Sequence, residues 1–181
     1  MTDSEFRMRV RVVPHDPAWK QTFEAEADAI GRALGDIVAA VHHIGSTAIP
    51  GIPAKPIIDI LLEVGDIAKL DARQSALEQL GYEGLGEFGI AGRRYFRKDD
   101  VAGDRTHQVH AFQSNSPEIA RHFAFRDYMI THPGAAQAYG ELKQRLAQQH
   151  PNDIQAYMDG KDAFIKEHQA KALAWRAEVV R

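Results

Sequence analysis

The stretch HIGSTAIPGIPAKPIIDILLEV, residues 43–64, decides the fold of this chain. A Gly-Ser pair, Gly45 and Ser46, follows an apolar run, and a short loop rich in glycine, proline and threonine comes next. The chain then enters an aliphatic run that holds one acid, Asp59. A turn of small residues offers backbone N–H groups to phosphate oxygens, and a carboxylate close to it holds a divalent cation. The stretch therefore predicts a strand that borders a phosphate-handling site.

Residues 55–64 are the clearest predicted strand, because side chains alternate between the two faces of an extended segment. One face carries only aliphatic residues and is predicted to be core: Ile58, Ile60, Leu62 and Val64. The other face carries both acids and is predicted to border a cleft: Ile57, Asp59, Leu61 and Glu63.

Length and composition narrow the class of protein. The 181 residues, 44% hydrophobic and 26% charged, predict a single globular domain over 1–181, with a sheet-bearing core (1–115) and a helical segment (116–181). The net charge of −3 argues against bulk electrostatic binding of nucleic acid. The lack of cysteine excludes disulfides, cysteine-based zinc sites and a thiol nucleophile. With no signal-peptide pattern and no membrane-spanning apolar run, the expected location is the cytoplasm, with no membrane association.

The remaining pattern predicts a small mixed sheet followed by helices, an α+β fold that is close to α/β. Strands are predicted at residues 9–13, 37–44, 55–64 and 106–113, with a hairpin or bent strand at 88–98. Helices are predicted at residues 17–34, 66–80, 117–132 and 134–149, and from 153 onward. Asp16 is the expected N-cap of the first helix, with Pro17 at its first position. The sequence leaves open whether the last helices pack on the sheet or form a small lobe.

Six blocks of sequence carry a family resemblance: VVPHDPAW (12–19), HIGSTAIPG (43–51), AKPIIDI (54–60), GRRYFRK (92–98), the histidine-bearing strand (106–112) and FRDY (125–128). Together they resemble the GrpB family over nearly the whole chain. The resemblance implies the fold of the polymerase-β-like nucleotidyltransferases. In those enzymes a Gly-Ser turn precedes a strand with two acids, one residue apart, that bind a divalent metal. A GrpB-like domain is also fused to dephospho-CoA kinase in some bacteria.

This chain departs from the nucleotidyltransferase pattern at the second acid. Asp59 matches the first acid, but Leu61 occupies the second position. Glu63 lies on the same face, about 13 Å from Asp59 at roughly 3.3 Å per residue, too far for both to ligate one ion. In the later strand, GrpB-like proteins typically read His-His-x-His, whereas this chain has Gln108 between His107 and Val109.

The phosphate-binding candidates surround the Gly-Ser turn and the basic cluster of residues 93–98. Their backbone N–H, hydroxyl or cationic groups suit an anion: Gly45, Ser46, Thr47, His43, Lys55, Arg94 and Arg97. Each has a structural alternative. The Gly-Ser pair is also typical of a tight turn, Lys55 of an ion pair with Asp59, and the arginines of a solvated edge strand.

Asp59 and His110 are the candidate catalytic residues and metal ligands. A lone acid in an aliphatic strand is costly to bury unpaired, which favours a functional role. The expected ion is Mg²⁺ or Mn²⁺. If His110 is a ligand beside the carboxylate, Mn²⁺ or Zn²⁺ is favoured over Mg²⁺. The alternatives are a structural acid that pairs with Lys55 and a histidine satisfied within the core. Lys161 and Lys166 are expected on a solvated helix face, and Tyr139 in the core.

Three functions are consistent with these residues. The first is binding of a nucleotide or another phosphorylated small molecule, with metal-dependent transfer of a nucleotidyl group if the protein is an enzyme. The second is a non-catalytic binding or chaperone-like module with a protein partner, linked to coenzyme A biosynthesis. The third, a metal-dependent hydrolase using Asp59, His107 and His110, is weaker, because the two histidines face opposite ways.

Overall fold

The computed structural model describes residues 9–180. Residues 1–8 lie outside this range. They belong to the N-terminal sequence on which the prediction of no signal peptide rests. Within 9–180 the chain forms five strands: β1 (Val38–Ile44), β2 (Ile58–Val64), β3 (Glu83–Gly84), β4 (Arg94–Asp99) and β5 (Arg105–Gln113). The same range holds six α-helices: α1 (Ala18–Leu34), α2 (Ile67–Ala72), α3 (Gln74–Gln79), α4 (Pro117–Thr131), α5 (Pro133–Gln149) and α6 (Ile154–Val179).

The five strands form one mixed sheet in the order β1-β2-β5-β4-β3. Strands β2 and β5 run parallel, and the other neighbours are antiparallel. In this register Asp59 lies beside Gln108, and Leu61 lies beside His110. The predicted α+β fold with a small mixed sheet is confirmed.

Helix α1 covers one face of the sheet. The predicted core residues of β2 are all buried against it and against α2 and α3: Ile58, Ile60, Leu62 and Val64. Ile30 and Leu34 lie four residues apart, on one apolar stripe of α1, and they belong to the same cluster. Asp16 caps this helix as expected, since its carboxylate accepts a hydrogen bond from the backbone N–H of Ala18 (2.9 Å).

The C-terminal helices cover the opposite face, which answers the question that the sequence left open. Ile119 of α4 packs on an apolar patch of the sheet formed by Ile44, Leu61 and Phe112. Tyr139 of α5 packs with residues of the loop that joins β1 to β2. These helices therefore close over the face that carries Asp59. Among the described residues, no helix has both the length and the apolar character needed to cross a membrane.

Four predicted elements differ from the structure. The strand predicted over 55–64 begins only at Ile58. Residues 9–13 are not a strand and make only one bridge, between Val13 and Ala54. The helix predicted over 66–80 is two short helices that meet at Arg73, next to Gln74, where the apolar stripe is interrupted. In the segment 88–98 only β4 is extended, because turns at Gly89 and Gly92, both with positive φ, precede it.

Candidate functional site

A cavity of about 160 Å³ lies where the turn after β1, the start of β2 and helices α5 and α6 meet. Its lining combines polar, cationic and aromatic side chains: Gly45, Ser46, Thr47, Lys55, Ile57, Asp59, Gln108, Tyr139, Lys143, Tyr157, Met158 and Lys161. Five of the predicted site residues are in this list, and the helical segment contributes the last five positions.

The turn at Gly45 has a shape that only glycine allows. Gly45 has φ +74° and leads into a short 3₁₀ turn, Ser46–Ala48. A Cβ atom added to Gly45 would lie 2.6 Å from Oδ2 of Asp59. The close approach sets the turn directly against the carboxylate. Beside it, the Tyr139 side chain hydrogen-bonds to Ser46, while burial raises the pKa of Tyr139 to about 12.

His110 contacts the carboxylate of Asp59, and these two residues are the pair that the sequence proposes as catalytic residues and metal ligands. Nε2 of His110 lies 3.2 Å from Oδ1 of Asp59, and Nδ1 of His110 lies 3.3 Å from Nη1 of Arg93. A guanidinium can only donate, so Nδ1 is the acceptor and Nε2 carries the proton that Asp59 accepts. Arg93 is itself buried and anchored by the backbone carbonyls of Glu87 and Phe88. His110 is therefore placed to orient the carboxylate.

Three lysines face Asp59 in the cavity. Lys143 of α5 is only 1% exposed, and its Nζ has no hydrogen-bond partner within the described part of the chain. This ammonium lies 4.5 Å from the ring centroid of Tyr139. Lys161 of α6 is 7% exposed, and its Nζ lies 4.5 Å from the ring centroid of Tyr157. Lys55, in the loop before β2, completes the set, with its Nζ 5.4 Å from the same ring.

Burial and mutual repulsion disfavour the charged forms of these lysines. Burial, followed by repulsion from Lys161 and Lys55, lowers the pKa of Lys143 to about 7. Burial and repulsion from Lys55 lower the pKa of Lys161 to about 7, and burial also lowers the pKa of Lys55. Asp59 opposes all three shifts by attraction. The cavity holds an excess of positive charge that an anion would stabilise.

Three of the predicted anion-binding residues lie outside the cavity. Arg94 points to the other face of the sheet and holds Asp71 with both ends of its guanidinium (2.7 and 3.0 Å). His43 is also on that face, where it stacks on Phe23 and bonds to the hydroxyl of Thr47. Arg97 is on the Asp59 face but two strands away, and its Nε donates to Glu83 (2.7 Å). Their phosphate-binding role stays a prediction, since ion pairs or ring packing already engage all three.

The donors around Asp59 do not fit a divalent cation well. Within residues 9–180, no three His, Asp or Glu side chains come close enough together to hold a metal ion. Leu61, at the position of the second acid, is fully buried among apolar side chains. The proton on Nε2 of His110 points at Asp59, and three ammonium groups share the cavity. The metal site at Asp59 and His110 stays a prediction that this donor set does not favour.

Sequence reasoning missed the residues that the helices bring to the cavity. The solvated face predicted for Lys161 is wrong, since this residue is buried, and the sequence pattern does not single out Lys143. Tyr139 is buried in an apolar cluster as predicted, but it also lines the cavity. The signal was present in the helical spacing, because Lys143 falls between Tyr139 and Leu146 on one apolar stripe. A lysine at a core position of a helix is seldom buried without a partner or a function.

Comparison with known proteins gives consistent matches. The family model described as GrpB protein matches residues 9–171. The UPF0157 protein YqkA of Bacillus subtilis is 41% identical over 170 residues, which cover 94% of this chain and 49% of YqkA. This chain therefore spans about half the length of that relative. The crystal structure of conserved protein GrpB from Enterococcus faecalis superposes with a TM-score of 0.87 and 48% identity, covering 92% and 99% of the two chains.

More distant matches include a solved structure of similar fold and an enzyme of which this chain spans about half. A chain in the structure of a GLD-2/RNP-8 complex has a TM-score of 0.51 at 13% identity, covering 75% of this chain and 45% of that one. This likeness concerns the fold alone, and the predicted nucleotidyltransferase-type fold is confirmed. The dephospho-CoA kinase of Mycolicibacterium paratuberculosis is 28% identical over 192 residues, covering 93% of this chain and 47% of the kinase.

Proposed function

This chain belongs to the GrpB family, and on that premise we propose that it binds a nucleotide or another phosphorylated small molecule, with a phosphate group in the cavity beside Asp59. One observation carries the proposal: the buried ammonium of Lys143 has no hydrogen-bond partner among the described residues and lines the cavity with Lys55 and Lys161. Burying an unpaired ammonium is unfavourable, and a phosphate would supply both the missing charge and the missing acceptors.

The size of the cavity indicates which part of the ligand it can enclose. Small-molecule pockets typically enclose roughly 300–1,000 Å³, and this cavity encloses about 160 Å³. We therefore assign the phosphate end of the ligand to the cavity and the remainder to the surface around its mouth. The turn at Gly45 and Ser46 supports this assignment, since both residues line the cavity and a turn of this kind can offer backbone N–H groups to an anion.

Leu61 favours binding without catalysis over nucleotidyl transfer. An acid at this position would be buried among the apolar side chains of Ile44, Phe112 and Ile119, where its charge would be costly to desolvate. Transfer of a nucleotidyl group with a divalent metal is thus our second candidate. The likeness to dephospho-CoA kinase supports including coenzyme A precursors, which carry a diphosphate, among the ligands to be tested. A protein partner in that pathway and a location in the cytoplasm stay predictions.

The hydrolase alternative needs His107 beside Asp59 and His110. The structure places His107 on the opposite face of the sheet, where its Nε2 lies 3.9 Å from Oε2 of Glu26. The three side chains cannot act on one substrate in this arrangement, so we do not pursue this function.

Calorimetric titration at pH 6.5 with pyrophosphate, ATP, CTP, GTP, UTP and dephospho-CoA tests the proposal. We expect binding of at least one ligand, and a loss of about tenfold or more in Lys143→Met, because a hydrogen bond to a charged group contributes about 1.5–3 kcal/mol. The matched control is Lys166→Met, which removes an exposed lysine of α6 that pairs with Asp162. No binding of any ligand, or equal losses in the two variants, would contradict the proposal.

A further inference from the structure

We propose that the ammonium groups of Lys143 and Lys161 take the place of a divalent cation, so that the cavity binds a phosphorylated ligand without metal. This inference rests on the proposed phosphate site and specifies its chemistry. It departs from the metal-dependent site that the nucleotidyltransferase fold implies.

The first argument is that the cavity offers few oxygen atoms to ligate a divalent cation. Among residues 9–180, Asp59 is the one carboxylate that lines the cavity. Its Oδ1 accepts from Nε2 of His110, whose tautomer is set by Arg93, and its Oδ2 packs against Gly45. Mg²⁺ requires near-octahedral oxygen ligands at about 2.1 Å. The described residues supply one carboxylate, and one of its two oxygens already accepts a hydrogen bond from His110.

The second argument is charge. With its lysines protonated, the cavity holds three ammonium groups, from Lys55, Lys143 and Lys161, against the carboxylate of Asp59. A dication added here would be repelled by these ammonium groups, whose pKa values are lowered to about 7 in Lys143 and Lys161 first by burial and then by repulsion from neighbouring lysines. A phosphate dianion would balance the excess of two positive charges.

The third argument is the position of the two lysines in the fold. Lys143 and Lys161 lie on α5 and α6, which close over the face of the sheet that carries Asp59. They approach the carboxylate of Asp59 from the helices, on the side of the cavity away from the strand β2 that carries it. A phosphate seated between them and the Gly45 turn would contact cations on one side and backbone N–H groups on the other. Asp59 then helps to keep the lysines protonated instead of ligating a metal.

Calorimetric titration with pyrophosphate at pH 6, in EDTA and in excess Mg²⁺, tests the inference. We expect binding in EDTA at least as tight as in Mg²⁺, because the cation competes for the anion. Asp59→Asn should bind within about threefold of the unaltered protein or more tightly, whereas Lys143→Met should bind about tenfold more weakly. Lys166→Met is the control for removal of a lysine, and thermal melts of each variant check that it is folded.

Each result bears on one of the two proposals. Binding that requires Mg²⁺ and is lost in Asp59→Asn would overturn the metal-free inference and leave the phosphate site standing. Absence of binding in both conditions, for pyrophosphate and for every ligand of the wider panel, would overturn the phosphate site and this inference with it. Binding in EDTA that is unaffected by Lys143→Met would overturn the assignment of the ammonium groups.

Discussion

Lys143 is the residue at which stability and binding conflict most clearly. Its side chain is 1% exposed, and its ammonium faces two other lysines. Natural chains retain such locally unfavourable groups mainly at functional sites, where the cost in stability is offset by what the group binds. Leu61 shows the reverse case, because a position that holds an acid in the nucleotidyltransferase pattern has become part of the apolar core.

We predict that Lys143→Met stabilises the protein, and more so at low pH. The pKa of Lys143 falls from 10.5 when unfolded to about 7 in the folded protein. Between these values the unfolded chain binds more protons, so the free energy of unfolding rises with pH through this window, and the destabilising effect is complete below pH 7. The gain at pH 6 should be on the order of a few kcal/mol and should shrink towards pH 10.

Urea unfolding at pH 6 and pH 9.5 in phosphate-free buffer measures this difference. Lys166→Met, whose ammonium is exposed and paired with Asp162, should show little gain at either pH. An equal gain at both pH values in Lys143→Met would mean that apolar packing, and not the buried charge, is responsible.

Helix α5 packs closely on the loop that joins β1 to β2. Gly140 of α5 lies against Pro53, which belongs to the loop that leads to Lys55 and β2. A Cβ atom at Gly140 would lie 2.8 Å from Cδ of Pro53 and 3.3 Å from its Cγ. Because the proline ring is rigid, this contact cannot be relieved by rotation of a side chain.

We predict that Gly140→Ala destabilises the protein by about 1–3 kcal/mol, the usual cost of overpacking. Helix propensity alone would favour alanine over glycine by about 1 kcal/mol. The matched control is Gly31→Ala in α1, where an added Cβ meets no atom within 4 Å, and where we expect a small gain. Chemical unfolding of both variants checks this, and stabilisation of both by similar amounts would show that α5 and the loop can separate without cost.

Over the whole molecule, the candidate site is shared between the sheet and the C-terminal helices. The Gly45 turn and Asp59 belong to the sheet side, whereas Lys143 and Lys161 belong to α5 and α6. A ligand that contacts both sides stabilises their association, because it binds only when they are together.

We therefore predict that pyrophosphate slows amide hydrogen exchange in the turn Ser46–Ala48 and in helices α5 and α6 together. The measurement is exchange followed by mass spectrometry, with and without the ligand, in the unaltered protein and in Lys143→Met. Slowing confined to the turn and β2 would mean that the helices do not take part in binding, and Lys143→Met should lose the effect in all segments.

The sequence by itself determined the elements whose patterns are local. The alternation in residues 58–64 identified β2 and its core face, and the stripe that holds Ile30 and Leu34 identified α1. It also identified Gly45, Ser46 and Asp59 as neighbours, because they lie within one turn and one strand. The sequence also placed His110 on the same face of its strand as Gln108, whereas the register that sets His110 beside Leu61 and within reach of Asp59 came from the structure.

Only the tertiary structure decided which cations meet Asp59. Arg94 and Arg97 are the most conspicuous basic residues in the sequence. Strand register decides to which side of the sheet Arg94 points, and it also decides that Arg97 pairs with Glu83. Lys143 and Lys161 lie more than eighty residues from Asp59 along the chain. Their approach depends on how α5 and α6 pack over the sheet, and periodicity within one helix contains no information about that packing.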